Sequence, residues 1–138
     1  MKKIKILYWV FTALICLFDG LIPALTSGSE LAKQGISHLG YPDYFRVMLT
    51  FFKVTGALIL LLPFFKSRIK EWAYAGFTFN FVSAFVSGLA VDGFSAQSVI
   101  SLVALVLLAS SYYYYNKLKS ATSFVEERTT RSLQLSQA

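Results

Sequence analysis

The sequence predicts an all-α integral membrane protein, an antiparallel four-helix bundle with both termini in the cytoplasm. Apolar residues make up 56% of the 138 residues and the mean hydropathy is +0.58, as is typical of chains that reside in membranes. Four stretches are each about 20 residues long, the length at which a helix crosses a hydrocarbon core about 30 Å thick. Lys and Arg residues are concentrated in alternate connections, and this asymmetry predicts the orientation.

The first predicted span covers residues 6–25 and follows three lysines near the amino terminus. It has a second interpretation as a cleaved signal peptide, because the lysines resemble an n-region and residues 23–29 offer small side chains for cleavage. Asp19 interrupts the apolar run, whereas the hydrophobic region of a signal peptide should end cleanly. We therefore favour a retained span.

The connection after the first span, residues 26–43, is the longest in the chain and is expected on the outer side. A short interfacial helix is predicted at residues 29–36, where Ser29 caps the start and Gly35 helps to end it. The same connection contains His38. We interpret it as an interfacial polar residue, because no second ligand or nucleophile accompanies it.

The second, third and fourth spans are predicted at residues 44–65, 72–91 and 96–115. Two runs within them, residues 57–65 and 99–109, contain almost no polar side chain, whereas a helix of a soluble bundle keeps a polar face. Residues 1–115 are therefore expected to form one transmembrane domain. The polar residues 116–138 are expected to form a cytoplasmic tail that is disordered or loosely helical.

Cationic side chains give the predicted orientation. They precede the first span, fill the turn between the second and third spans, and follow the fourth: Lys2, Lys3, Lys5, Lys66, Arg68, Lys70, Lys117, Lys119, Arg128 and Arg131. The other two connections contain a single cationic residue, Lys33. By the positive-inside rule, both termini and the turn at residues 66–71 are expected on the cytoplasmic side of the cell membrane. The net charge of +6 thus reflects topology and attraction to anionic lipid, so no nucleic acid partner is needed to explain it.

Polar and small residues recur at helical spacings of three and four in the first three spans, which places them on one face of each helix. These faces consist of Thr12, Cys16, Asp19 and Pro23 in the first span, Arg46, Thr50, Lys53 and Gly56 or Ala57 in the second, and Ala73, Gly76, Asn80, Ser83 and Ser87 in the third. The fourth span offers only Ser98, Ser101 and Ala104. The polar faces are expected to meet in the interior of the bundle.

Asp19 and Lys53 are predicted to pair inside the membrane. At about 1.5 Å per residue, Asp19 lies about 20 Å from the inner end of its span and Lys53 about 14 Å from the outer end of its own. In a core about 30 Å thick the two Cα heights differ by only a few ångströms, which a lysine side chain spans. An unpaired charge at that depth costs about 2.5 to 3.5 kcal/mol, so two opposite charges favour a pair. Asn80 lies near mid-depth, within reach of either partner.

The role of this pair stays open between two interpretations. It is either a structural clamp between the first two spans, or a clamp that also binds a ligand or substrate or carries a proton. The secondary candidates for a pocket are Thr50, Gly56, Ser83, Ser87 and Arg46. The serines, like Asn80, are interpreted first as helix-packing residues, and Arg46 is expected to extend to the outer surface or to Asp43. Ala84 and Gly88 form a small-residue pair suited to packing within the bundle or to a homodimer.

The sequence lacks the usual catalytic sets. One His and one Cys leave no metal-ligand cluster and no haem pair. A Gly-rich phosphate loop, a dinucleotide fingerprint and a Cys-x-x-Cys motif are also missing. We therefore predict no metal and no catalytic residue. Enzymatic activity stays open, and a non-enzymatic role is favoured.

Three segments carry a family resemblance: HLGYPDYF at positions 38–45, FKVTG at 52–56 and IKEWAYAGF at 69–77. Together they resemble the DoxX-like family of small four-span membrane proteins, and matching features cover most of residues 6–115. The positions that match the family's motifs are Gly40 and Pro42 in the outer loop, Lys53 and Gly56 in the second span, and Glu71 and Gly76 at the start of the third.

The resemblance implies an antiparallel four-helix bundle and a link to membrane redox or oxidative-stress complexes, because the family takes its name from a subunit of a thiosulfate:quinone oxidoreductase. The bundle is also similar to that of eukaryotic receptor chaperones and sterol-binding proteins. On this basis we expect a non-catalytic membrane subunit that binds a quinone or a lipid near Asp19, Lys53 and Asn80.

Two other roles stay open. One is a scaffold or assembly factor whose partners are other membrane proteins or a second copy of the chain. The other is a small transporter, which is favoured least because four spans with one ionisable pair offer little machinery for alternating access.

Overall fold

The computed structural model describes residues 1–137, a part of the chain that is helical apart from short connections and contains no strand. Its helices are α1 (Lys2–Ile15), a π-helix (Cys16–Leu21), α2 (Ile22–Thr26), α3 (Glu30–His38), α4 (Asp43–Leu61), α5 (Ser67–Asp92) and α6 (Ala96–Ser136). Since α1, the π-helix and α2 follow one another without a break, residues 1–137 contain four helices long and apolar enough to cross a membrane. The predicted all-helical class and the number of apolar spans are confirmed.

The helix α4 ends at Leu61, short of the predicted end at residue 65. The next residue, Leu62, is extended with ψ at 131°, and it precedes Pro63. A proline ring clashes with a helical residue before it, so Leu62 is driven out of the helical region. The boundary is therefore set by Pro63, although residues 64 and 65 are apolar.

The short helix α3 is capped as predicted but ends later. The Ser29 hydroxyl accepts a hydrogen bond from the Ala32 backbone N–H at 3.3 Å, which satisfies one of the free donors at the helix start. The prediction that Gly35 helps to end the helix is wrong, since α3 continues to His38. The chain turns instead at Gly40, whose φ of +82° suits a residue without a side chain.

The last helix, α6, continues without interruption from Ala96 to Ser136. The polar tail was predicted to be either disordered or loosely helical, and in the structure it is helical as far as Ser136. Most side chains beyond Lys119 are exposed, and Lys119 itself donates to Glu71 of α5 at 2.9 Å.

Aromatic and small residues make many of the contacts between the helices. Residues of α1 contact the middle of α6, as the stacked rings of Phe11 and Tyr114 at 5.8 Å illustrate. The helix α5 also packs along α6, while α4 packs against the π-helix and α5. The buried apolar core consists of Ile15, Cys16, Ala57, Leu60, Ala73, Tyr74, Phe77, Phe81 and Leu108. Many large apolar side chains outside it are exposed, which suits surfaces in contact with lipid.

Candidate functional site

The π-helix brings the acidic residue of the first span close to α4. Asp19 lies within this segment, and π-helical turns inside longer helices occur frequently at functional sites. A Cβ atom built on the neighbouring Gly20 would lie 2.7 Å from the Cβ of Ala57, too close for any residue larger than glycine without a shift. Cys16 adds a contact on the same face, with its thiol donating to the Ala57 carbonyl at 3.6 Å.

Asp19 is bonded by two other helices. Lys53 of α4 donates from Nζ to Asp19 Oδ1 at 2.7 Å, and Asn80 of α5 donates from Nδ2 to Asp19 Oδ2 at 3.1 Å. The Lys53 and Asp19 side chains are 18% and 13% exposed. Because a buried ion pair is tolerated only when its remaining lone pairs are also satisfied, the amide of Asn80 is part of the same arrangement.

A second set of polar side chains lies at the start of α4. Arg46 donates from Nε to Asp43 Oδ1 at 2.9 Å and from Nη2 to Asp43 Oδ2 at 3.2 Å, so it reaches one of its two predicted targets. Its Nη1 atom also donates to the backbone carbonyl and the hydroxyl of Ser27. Thr50 lies one turn further along α4 and shares a hydrogen bond of 3.0 Å with the Ser27 hydroxyl.

Two contacts connect α3 and the loop after it to the end of α5. The Nε2 atom of His38 lies 2.6 Å from Asp92 Oδ1, and the Tyr41 hydroxyl lies 2.8 Å from the Ser87 hydroxyl. His38 was predicted in the outer connection, residues 26–43, and lies there as the last residue of α3, but Asp92 was not predicted as its partner. The end of the molecule formed by α3, Asp92 and the start of α4 is called the α3 end below.

A groove of about 780 Å³ runs between α4 and α5. Its polar side chains include Lys53, Asn80, Ser83 and Ser87, and most of its other lining residues are apolar. Phe52 and Phe79 line it while remaining 60% and 74% exposed, so the groove is open at the side of the bundle. The arrangement provides a few hydrogen-bonding groups in an apolar cleft, as sites for small hydrophobic molecules do.

Two glycines line this groove, Gly56 of the predicted site and Gly76 of the family motif in the third span. A Cβ atom on Gly56 would lie 3.0 Å from the Phe77 ring, so this glycine allows close packing of α4 on α5. A Cβ atom on Gly76 would meet nothing within 4 Å, so the missing side chain leaves open space in the groove.

A second cavity of about 410 Å³ lies at the α3 end. Thr50 and Arg46 line it rather than the groove, together with His38 and Asp92. Lys53 lines both spaces. Asp19 lines neither space, and the other predicted site residues are divided between the groove and a second cavity that meet at Lys53.

A buried hydroxyl cluster at the other end was not identified from the sequence. Ser111 of α6 lies 2.8 Å from the Thr12 hydroxyl and 2.8 Å from the Tyr74 hydroxyl. The nearby Tyr8 hydroxyl is buried without a hydrogen-bond partner among residues 1–137. The signal for this cluster was present, because Ser111 continues the spacing of three and four that runs from Ser101 through residues 104 and 108.

Comparison with known proteins identifies the family. The sequence profile of the DoxX-like family matches residues 7–111, a range that contains Asp19, Lys53 and Asn80. No curated protein and no solved structure matches the chain. The match covers most of the chain and all four long apolar helices contribute to it. The chain therefore belongs to the DoxX-like family and is a multi-pass membrane protein.

Proposed function

We propose that this chain is a non-catalytic subunit of a membrane redox or stress-related system, and that it binds a quinone or a lipid in the groove between α4 and α5. The groove carries the proposal, because it joins open apolar walls to a small set of convergent polar groups, Lys53 and Asn80. A long apolar molecule enters such a groove from the bilayer without crossing water. Its head group then finds hydrogen-bonding partners at Lys53 and Asn80.

The proposal includes an antiparallel bundle in the cell membrane with both termini in the cytoplasm. The order of contacts supports antiparallel neighbours, since Tyr74 of α5 contacts Ser111 of α6 whereas the later residue Gly88 faces the earlier residue Ser98. The distribution of Lys and Arg supports the orientation. The α3 end is then the outer end.

The hydrogen bonds of the polar groups support the proposal of a binding role rather than a catalytic one. Asp19, Lys53 and Asn80 hydrogen-bond to one another, and the single cysteine donates to a backbone carbonyl in the core. Such a set orients and holds a head group, whereas redox chemistry belongs to the bound molecule or to a partner subunit.

The small-residue pair Ala84 and Gly88 makes no contact that favours a role as scaffold. Gly88 packs inside the chain, where its Cβ would lie 3.2 Å from the Ser98 hydroxyl, and Ala84 lines the groove. Gly88 is therefore used for packing within the chain and Ala84 for the wall of the groove. Little small-residue surface is left for packing against a partner helix.

The test fills the groove without touching the ion pair. In Gly76→Leu the new side chain enters open space in the groove, and the matched control Ala75→Leu adds the same bulk to the adjacent exposed position of α5, which does not line it. Native mass spectrometry of protein extracted into lipid nanodiscs measures the retained quinone or lipid. We expect Gly76→Leu to lower retention about tenfold or more, equivalent to about 1.4 kcal/mol of binding free energy, and Ala75→Leu to leave it unchanged.

Two results would contradict the proposal. One is wild-type protein that retains no quinone or lipid beyond the level of the control membrane proteins extracted in the same way. The other is equal retention by Gly76→Leu and Ala75→Leu when both variants are folded and monodisperse.

A further inference from the structure

The groove and the second cavity share one wall. Five residues line both spaces: Ile36, Leu39, Leu49, Lys53 and Gln97. Lys53 is the only one of these that is charged, and its Nζ atom is held by Asp19. A head group seated beside Lys53 in the groove therefore lies next to the second cavity.

Much of the surface of both spaces is apolar, and they differ in the share of polar residues in their linings. The lining of the groove is mainly apolar and includes exposed aromatic rings such as Phe52 and Phe79. The second cavity has hydroxyl and charged groups among its lining residues, including Thr50, Arg46 and His38. Water is stable where several polar partners are available, and lipid chains are stable against exposed apolar walls.

The charges around the second cavity are balanced. Arg46 binds Asp43, Lys53 binds Asp19, and His38 binds Asp92. Each cationic or ionisable group therefore has its own carboxylate, and there is no surplus positive charge to hold an anion. The cavity fits water and an uncharged or zwitterionic head group, not an isolated phosphate.

The interior is closed on the opposite side of the ion pair. Ile15 and Cys16 lie one turn from Asp19 toward the amino terminus, and Ala57 and Leu60 lie one to two turns beyond Lys53 along α4. All four belong to the buried core, with exposures between 0% and 6%. The tightly packed core therefore lies on this side of the pair, while the groove between α4 and α5 continues past Lys53 to Arg68.

We propose that the second cavity is an aqueous chamber through which water and small polar solutes from the outer side reach Lys53, while the groove on the other side of Lys53 is filled from the bilayer. The head group of a molecule in the groove, uncharged or zwitterionic, then contacts outer water although its apolar part lies in lipid. This inference rests on the proposed function for the occupant and for the orientation.

Cysteine accessibility tests the chamber without any knowledge of the occupant. The reagent is sulfonatoethyl methanethiosulfonate, which is charged and does not cross membranes. Thr50→Cys in a Cys16→Ala background reports the chamber, and Ser83→Cys in the same background reports the groove, because each position lines one space only. The wild-type chain is the matched control, since its single thiol on Cys16 is buried.

We expect the Thr50→Cys thiol to react from the outside of intact cells at least about tenfold faster than Cys16, because the reactive thiolate forms readily only in contact with water. In inverted vesicles, where the reagent meets the cytoplasmic face, neither thiol should react at a comparable rate. Ser83→Cys should resist the charged reagent from both sides and react with a lipid-soluble maleimide. Complete reaction after denaturation confirms that every thiol was free.

Three outcomes would overturn the inference: a Thr50→Cys thiol in folded protein that reacts no faster than Cys16, one that reacts faster from the cytoplasmic face, or a Ser83→Cys thiol that reacts with the charged reagent as fast as Thr50→Cys. These results are separate from the fate of the proposed function. If Thr50→Cys reacts as expected but no quinone or lipid is retained, the chamber stands and the occupant of the groove is wrong.

Discussion

Lys53 is the residue of the candidate site that pairs with Asp19 and also lines both the groove and the second cavity. The charge of Lys53 contributes to stability as well as its contacts. Removing one partner of a buried pair leaves the other charge without compensation, whereas replacing both by neutral polar groups of similar size avoids this penalty. Single and double substitutions at Lys53 and Asp19 should therefore behave very differently.

We predict that Lys53→Ala lowers the free energy of unfolding by about 3 to 5 kcal/mol, because it leaves the Asp19 carboxylate with Asn80 as its remaining side-chain partner. Asp19→Asn combined with Lys53→Gln should recover most of this loss, since two amides replace the ions without a net charge. Reversible denaturation in mixed micelles provides the measurement. A double variant no more stable than Lys53→Ala would show that the pair contributes through packing and not through charge.

The same residues show what sequence reasoning can and cannot recover at this scale. Similar depth in the membrane suggested Asp19 and Lys53 as partners, and the structure has their charged atoms 2.7 Å apart. Depth follows from residue number once the spans are known, so such a contact is accessible to prediction. The contact between His38 and Asp92 is not, because the two residues lie at helix ends outside the predicted spans, where the path of the chain does not follow from hydropathy.

The π-helix is the element that determines where the first long helix contacts α4. Residues before it pack mainly against α6, whereas the π-helix itself packs against α4. The extra residue in a π-helical turn changes the direction of the side chains that follow, so one helix serves two neighbours. Hydropathy gives the length of this span but not its hydrogen-bond register, so the π-helix could not be predicted from it.

We predict that Gly20→Ala destabilises the protein by about 1 to 3 kcal/mol, because the new methyl group overlaps with Ala57 at the contact between the π-helix and α4. Ala57→Gly introduced into the same chain should restore part of the loss. The matched control is Gly28→Ala, whose added Cβ meets nothing within 4 Å and should have little effect.

Thermal or chemical unfolding of the three variants measures the difference. Equal stability of Gly20→Ala and Gly28→Ala would mean that the two helices separate at no cost, and that the close approach of Gly20 to Ala57 does not position Asp19.

The helix ends show how far local residue types determine where a helix begins and ends. Ser29 was identified as a cap from its residue type, and it caps α3. The end of α4 was predicted too late because the apolar pattern was followed through Pro63, although the proline itself determines the end at Leu61. Local chemistry therefore outweighed hydropathy at this boundary.

At the scale of the whole molecule, orientation is the property on which the functional interpretation depends most. The four long apolar helices were predicted from length and hydropathy, because the thickness of the bilayer fixes the length of a span. The arrangement of the helices around the groove could not be predicted in this way, since it depends on how α4 and α5 diverge from each other.

We predict that a reporter enzyme active only outside the cytoplasm is inactive when fused after residue 138 and active when inserted after Gly40. The first expectation follows from the cluster of Lys and Arg residues after the fourth span, and the second from the single lysine in the connection that contains Gly40. Activity of the carboxyl-terminal fusion would place the α3 end in the cytoplasm and reverse the side from which the second cavity is reached.

The open side of the groove has a practical consequence for work with purified protein. If the groove binds an apolar molecule as proposed, lipid chains complete the wall that the helices leave open between Phe52 and Phe79, and the surrounding amphiphile takes part in the binding equilibrium. A detergent with an alkyl chain competes for this space at millimolar concentration, whereas a nanodisc offers only the lipids chosen for it. Affinities for any apolar compound should accordingly be weaker in micelles than in nanodiscs, and should fall further as the alkyl chain of the detergent lengthens.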